Sequence, residues 1–295
     1  MSLLARILMI ALLSSPLTAI GQADEQLRII AFGAHPDDAE LSAGGAAALW
    51  AAQGHAVKFV SMTNGDIGHF GMAGGPLAMR REAEVQACAE VLGITTEVLD
   101  IHDGELMPSL ENRKKVARLI RDWQADIVMV HRRYDYHADH RYSGVLVDDA
   151  IIVVEAPFFT PDTPPLPRSP VVMYYHDRFQ KPTPFEPTIA LSIDEAIDTK
   201  MECLSKLPSQ FSDEDSWTWG RRDVVPEDES ERMDSRLGGI RGGAENQANE
   251  YRDLLIELYG EAGETVQYVE LFELSEYGRR PSVDELKQLF PTFED

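Results

Sequence analysis

The chain has 295 residues, with 27 Lys and Arg against 50 Asp and Glu, for a net charge of −23 at pH 7. That acidity argues against nucleic acid or an anionic membrane surface as the main partner, although it equally serves solubility alone. The length suffices for one large domain with a substantial core, and the two cysteines, Cys88 and Cys203, carry no framework pattern.

Residues 1–23 read as a secretory signal peptide. Arg6 precedes the apolar run Ile7 to Leu13, Gly21-Gln22-Ala23 offers small residues for cleavage, and Asp24-Glu25 follow at once. The apolar run is shorter than the about 20 residues a membrane span needs. No later stretch reads as transmembrane, so no stable membrane insertion is expected after cleavage. The protein is expected to be exported, to the periplasm or the medium. Residues 24–295 are read as a single domain.

Strands are predicted at 27–34, 56–62, 96–101 and 126–131, and helices at 40–53, 79–92, 109–124 and 141–153. Strand–helix alternation of this kind predicts an α/β fold: a Rossmann-like, mostly parallel sheet with helices on both faces. Between the first strand and helix lies Ala34-His35-Pro36-Asp37-Asp38-Ala39-Glu40. In an open α/β sheet such a turn sits at the carboxyl end of the strand, where ligands bind. Helix capping accounts for one Asp, but not for two and a neighbouring His. The Gly-rich loop 65–75 lacks a phosphate-binding motif and reads as a flexible pocket rim. Arg81 and Glu84 stand three apart on a helix, so a local ion pair competes with a site role for Arg81. Cys88 lies in an apolar helical stretch and reads as a buried free thiol.

After the fourth strand comes His131-Arg132-Arg133-Tyr134-Asp135-Tyr136-His137-Ala138-Asp139-His140. Imidazole and carboxylate donors suit Zn²⁺, and a catalytic zinc uses three protein ligands with one open position. His131 reads as a hydrogen-bonded pocket wall rather than an extra ligand. His55, His69, His102 and His176 receive no role. Further on, 157–170 is a proline-dense loop, with strands expected at 171–176 and 189–192 and a helix at 194–207. The acidic, Gly-punctuated stretch 211–246 reads as a loop or lid insert. Its Trp217 and Trp219 are read as loop anchors ahead of sugar platforms. A helix near 248–258, a strand near 266–274 and one short tail helix complete the chain.

The sequence resembles the PIG-L/LmbE-like zinc-dependent N-acetylglucosaminyl deacetylases. The likeness rests on Ala34-His35-Pro36-Asp37-Asp38 and His137-Ala138-Asp139-His140. It extends to Thr63-Asn64-Gly65, Arg81-Glu82-Ala83-Glu84 with Leu92-Gly93, and Leu99-Asp100-Ile101-His102-Asp103-Gly104. It runs from about residue 27 to 150 and is loose beyond.

The resemblance implies zinc ligands His35, Asp38 and His140, and Asp37 as the base that takes a proton from a zinc-bound water. It implies His137, protonated, as the group that steadies the oxyanion and gives a proton to the departing amine. Asp139 would hold that imidazole or back up His140. Arg81 would serve the substrate side, and Asp103 either that side or a place behind the metal ligands. The implied activity is removal of an acetyl group from an N-acetylated amino sugar or glycoconjugate. A metal-dependent amidase on a non-sugar or thiol-conjugate substrate, and a non-catalytic sugar-binding module, are the alternatives. A homo-oligomer is left open.

Overall fold

The computed structural model describes residues 26–219 and 225–291; the predicted leader lies outside them. The first half alternates as read: β1 (Arg28–Gly33), α1 (Asp38–Ala52), β2 (Ala56–Ser61), α2 (Gly75–Leu92), β3 (Thr95–Val98), α3 (Leu110–Trp123), β4 (Ile127–Val130) and α4 (Ala138–Ile151). Then follow β5 (Val171–Tyr175), β6 (Ile189–Ser192), α5 (Ile197–Leu204), α6 (Pro208–Phe211), α7 (Glu229–Glu250), α8 (Arg252–Tyr259), β7 (Val269–Gly278) and α9 (Val283–Leu289). The seven strands form one sheet in the order β3-β2-β1-β4-β5-β7-β6. β1 to β5 run parallel, while β7 is antiparallel to both β5 and β6.

Both faces of the sheet are covered, so the central strands are apolar on each side. In β1, Ile29 and Ala31 enter one core layer and Ile30 and Phe32 the other, all fully buried. The first layer gathers residues of α1, α2 and α5, the second residues of α3 and α4. β1 and β4 are neighbours although two strands intervene in sequence. The strand order therefore reverses between them, and a crevice opens at their carboxyl ends.

Three expectations need correction. First, Cys88 is not a free thiol: it forms a disulfide with Cys203, tying α2 to α5. The sequence separation of 115 hid the pairing; the chain brings the two helices together only by folding over one sheet face. Second, 229–246 is not a loop but part of α7. Asp228 caps it, its side chain accepting from the N–H groups of Ser230 and Glu231. Met233, Leu237 and Ile240 pack on the first core layer, and Ala244 and Ala248 follow them on the same face. Acidic residues and glycines masked that helical period. Third, β3 ends at Val98 rather than running to 101. The Asn64 N–H donates to the Ile101 carbonyl at 2.8 Å, so the chain leaves the ladder and hooks over the β2 turn. That detour carries Asp103 to the crevice.

Candidate metal centre

The first turn is tightly built. A Cβ on Gly33 would lie 2.9 Å from the Asp38 Cβ, so only glycine lets the strand fold back so closely. The N–H groups of Asp37 and Asp38 donate to the His35 carbonyl at 2.9 and 3.3 Å, and Asp38 Oδ2 accepts from the His35 N–H at 2.8 Å. Asp37 occupies the N-cap position of α1, yet its side chain makes no capping bond. The capping explanation for the Asp pair therefore falls away. Across the crevice, His137 caps α4, its Nδ1 accepting from the Asp139 N–H at 3.2 Å, and His140 follows in the first helical turn.

Three atoms of these two turns converge. His35 Nδ1 lies 3.2 Å from His140 Nε2. Asp38 Oδ2 lies 3.3 Å from His35 Nδ1 and 3.4 Å from His140 Nε2. Donors about 2.1 Å from a tetrahedral zinc stand about 3.4 Å from one another, so the triangle fits one such ion. The surroundings fit as well, because Asp37, Asp103, Asp135 and Asp139 crowd the same histidines. A cluster so rich in carboxylates calls for a cation. Overlapping groups of possible ligands include His35–His137–His140, Asp38–His131–His140 and His35–Asp103–Asp139, and each contains at least one corner of the triangle.

The outer nitrogens of both ligand imidazoles face carboxylates, the arrangement that fixes tautomer and ring orientation at metal sites. His140 Nδ1 lies 3.2 Å from Asp135 Oδ2. His35 Nε2 lies 3.1 Å from Asp103 Oδ1 and 3.5 Å from Asp139 Oδ2. Asp139 was expected to support His137 or His140. Its carboxylate instead faces His35 and accepts from the N–H groups of Gly104 at 2.6 Å and Leu106 at 3.2 Å. That burial under the β3 turn points it away from the predicted partners. Asp103, expected on the substrate side or behind the metal ligands, faces His35, the second of these places.

Arg81 turns into the site. Its Nη1 donates to the Gly65 carbonyl at 2.9 Å and its Nη2 lies 3.7 Å from Asp37 Oδ2. Glu84 pairs instead with Arg80, at 3.0 Å, and with Ser209. Gly65 has φ +65°, and a Cβ there would meet Arg81 Nη1 at 2.2 Å, so the rim loop needs glycine for both reasons. Burial pushes the Asp37 carboxyl above the ordinary carboxylate range, against the pull of Arg81. Burial holds His137 below the usual histidine value, and His35 and His140 beside it push the same way. His131 lines the pocket, its Nε2 accepting from the Ala34 N–H at 3.4 Å and its ring stacking on His140 at 4.2 Å, and the same Nε2 lies 3.3 Å from Asp38 Oδ2, close enough to share an ion with it.

Residues 30–151 match the family model for GlcNAc-PI de-N-acetylase, PIG-L. This segment is a PIG-L domain. It contains every predicted site residue and closes with the last residue of α4. The chain is 28% identical over 201 residues to diacetylchitobiose deacetylase of Thermococcus kodakarensis, covering 64% of this chain and 72% of that protein. It is 30% identical over 144 residues to 4-oxalmesaconate hydratase of Pseudomonas putida, covering 46% of this chain and 56% of that protein. In fold it resembles N,N'-diacetylchitobiose deacetylase from Pyrococcus horikoshii, with a TM-score of 0.62 and 24% identity over 84% of this chain and 83% of that one.

Within the PIG-L domain, sequence reasoning missed Asp135 and Asp66. Asp135 also accepts from the His137 N–H at 2.9 Å, and Asp66 takes His102 Nδ1 at 2.6 Å and the Asp103 N–H at 3.1 Å. An acidic residue two positions before a helix cap was the available signal for Asp135. His69, also without an expected role, lies 3.2 Å from Asp213 and ties the PIG-L domain's rim loop to the segment after α6. The Phe70 N–H reinforces that seam by donating to the Asp215 carbonyl at 2.8 Å. The two tryptophans there differ. Trp219 is anchored under the Arg236 guanidinium, 4.5 Å from its ring centre, whereas Trp217 is exposed beside Phe70. A cavity of about 260 Å³ opens from Asp38 and His140, past Tyr136, to the chain after β5.

Proposed function

We propose that this chain is a hydrolase that removes the acetyl group from an N-acetylated amino sugar or glycoconjugate, using a zinc ion held by His35, Asp38 and His140. The triangle of donor atoms, with Asp37 and Arg81 beside it, carries this reading. A zinc bound there supplies Lewis acidity and lowers the pKa of a coordinated water. Asp37 takes a proton from the attacking water, and burial shifts its basicity in the direction a general base needs. Arg81 orients the Asp37 carboxylate and offers N–H donors to the carbonyl side of the amide.

His137 accepts through Nδ1 from the Asp139 N–H, so in its neutral form the ring proton sits on Nε2. Its depressed basicity favours a neutral hydrogen-bond donor to the developing oxyanion over the proton-giving role implied by resemblance. A bound cation pushes in the same direction. The proton taken by Asp37 then passes to the departing nitrogen as the C–N bond breaks, leaving a free amine and acetic acid, which ionises to acetate. Asp103, Asp135 and Asp139 act by holding the two ligand imidazoles.

The diacetylchitobiose deacetylase relative and the PIG-L match support this reading. The hydratase relative supports a second one, addition of water to a carboxylated substrate. The carboxylates that crowd the site argue against an anionic substrate. Acetate release from N-acetylated amino sugars, run beside simple acetamides, acetylated thiol conjugates and 4-oxalmesaconate, tests the choice. Release from the sugars supports deacetylation, and consumption of 4-oxalmesaconate alone overturns it.

Export is the companion proposal. A Cys88–Cys203 disulfide suits an oxidising compartment. The mature protein, recovered outside the cytoplasm, should then begin near Asp24 on N-terminal sequencing.

A further inference from the structure

His176 follows the last residue of β5 and has no part in the metal centre. The cavity that opens from Asp38 and His140 reaches it, and two more, of about 190 and 160 Å³, meet it there and run beneath α7. The larger branch is lined by Gln180, Asn246, Gln247 and Glu250, with Phe185 and Tyr251 supplying aromatic faces. Amides and a carboxylate serve hydroxyl groups, and aromatic rings serve the C–H face of a sugar-like ring. Arg178 is the sole cation along this branch, a poor match for a phosphate-linked group.

The His176 ring is held in a defined state. Gln247 Nε2 lies 3.0 Å from His176 Nδ1. An amide nitrogen only donates, so Nδ1 accepts and the ring proton lies on Nε2. Phe185 packs edge-on at 5.1 Å and fixes the ring plane. Among the described residues Nε2 has no hydrogen-bond partner. Burial also keeps this imidazole below the usual histidine pKa, hence neutral. An oriented N–H donor therefore stands at the junction of three cavities, one of which begins at the metal centre.

We infer that the substrate extends beyond its acetylated ring, that a second, uncharged, polyhydroxylated ring occupies the branch under α7, and that His176 Nε2–H sets its register. The inference rests on the deacetylase reading for the first ring. It makes His176 and Gln247 specificity-determining residues outside the PIG-L domain.

The test compares kcat/KM for N,N'-diacetylchitobiose with that for N-acetylglucosamine in the full chain and in two variants, His176→Ala and Gly243→Phe. Gly243 lines the branch, and a Cβ there meets nothing within 4 Å, so the added ring fills the cleft without disturbing the fold. The disaccharide should be preferred by at least about tenfold, and each variant should lower that ratio about tenfold, mainly through KM for the disaccharide. A wild-type ratio near one, or a ratio that either variant leaves unchanged, overturns the inference. If neither sugar is hydrolysed, the deacetylase reading has failed, and calorimetric titration with the disaccharide decides the subsite. Binding that Gly243→Phe abolishes upholds it; absent or unaffected binding sinks it.

Discussion

Asp37 and Asp38 are adjacent in sequence, yet one turns toward Arg81 and the other toward two histidines. Asp37→Asn should keep the metal and lower acetate release by about 10²–10⁴-fold, the usual worth of a general base. Full turnover in that variant would remove Asp37 from the chemistry. Asp135→Asn leaves His140 Nδ1 without its carboxylate, so metal affinity should weaken by about 10–100-fold in a chelator competition. Unchanged affinity would show that Asp135 does not steady His140. The triangle itself was legible because its His and Asp residues lie in strand-end turns, where chain direction dictates convergence. Asp135 was not legible, because an Asp between two tyrosines reads as an ordinary turn former. Only the folded loop turns one of its oxygens to the His137 N–H and the other to His140. His176 stayed hidden for a related reason: its partner Gln247 is 71 residues away.

Elements were easiest to read where local pattern and tertiary packing agree, as in β1 to β4 with the helices between them. α7 was misread because Gly238, Gly239, Gly242 and Gly243 are poor helix formers, whereas its buried face decides the outcome. The disulfide between α2 and α5 joins two elements that pack in the same core layer, and α2 is also the helix that carries Arg81. Cys88→Ser should lower unfolding stability by about 2–5 kcal/mol, read as a fall in the thermal midpoint. No change in the midpoint would argue that the bond is absent in solution. A second link joins α4, β5 and β7: buried Asp148 accepts from the Tyr174 hydroxyl at 2.8 Å, and Ser275 donates to that hydroxyl at 2.9 Å. Burial raises the Asp148 pKa from 3.8 to about 6, against Arg133. A raised folded-state value means that its contribution is full below pH 3.8 and is lost as pH rises through about 6. Thermal midpoints of wild type should therefore fall relative to Asp148→Asn between pH 4.5 and pH 7, a gap that stays constant if the group does not titrate there.

At the scale of the molecule, a net charge of −23 surrounds a centre that is itself crowded with carboxylates. Such a field draws in a divalent cation and disfavours an anionic substrate. The strand order delivers the metal-binding turns to one crevice, while the later part of the chain supplies the cleft walls under α7. The early motifs thus govern the proposed chemistry, and the region without recognisable motifs governs what reaches it. That division explains why the reaction was more legible than the substrate. The most direct measurement is acetate release from an N-acetylated amino sugar by protein stripped with a chelator and then titrated with Zn²⁺. Release should vanish on stripping and return in full at about one zinc per chain. Undiminished release by the metal-free protein would contradict a metal at His35, Asp38 and His140 as the source of activity.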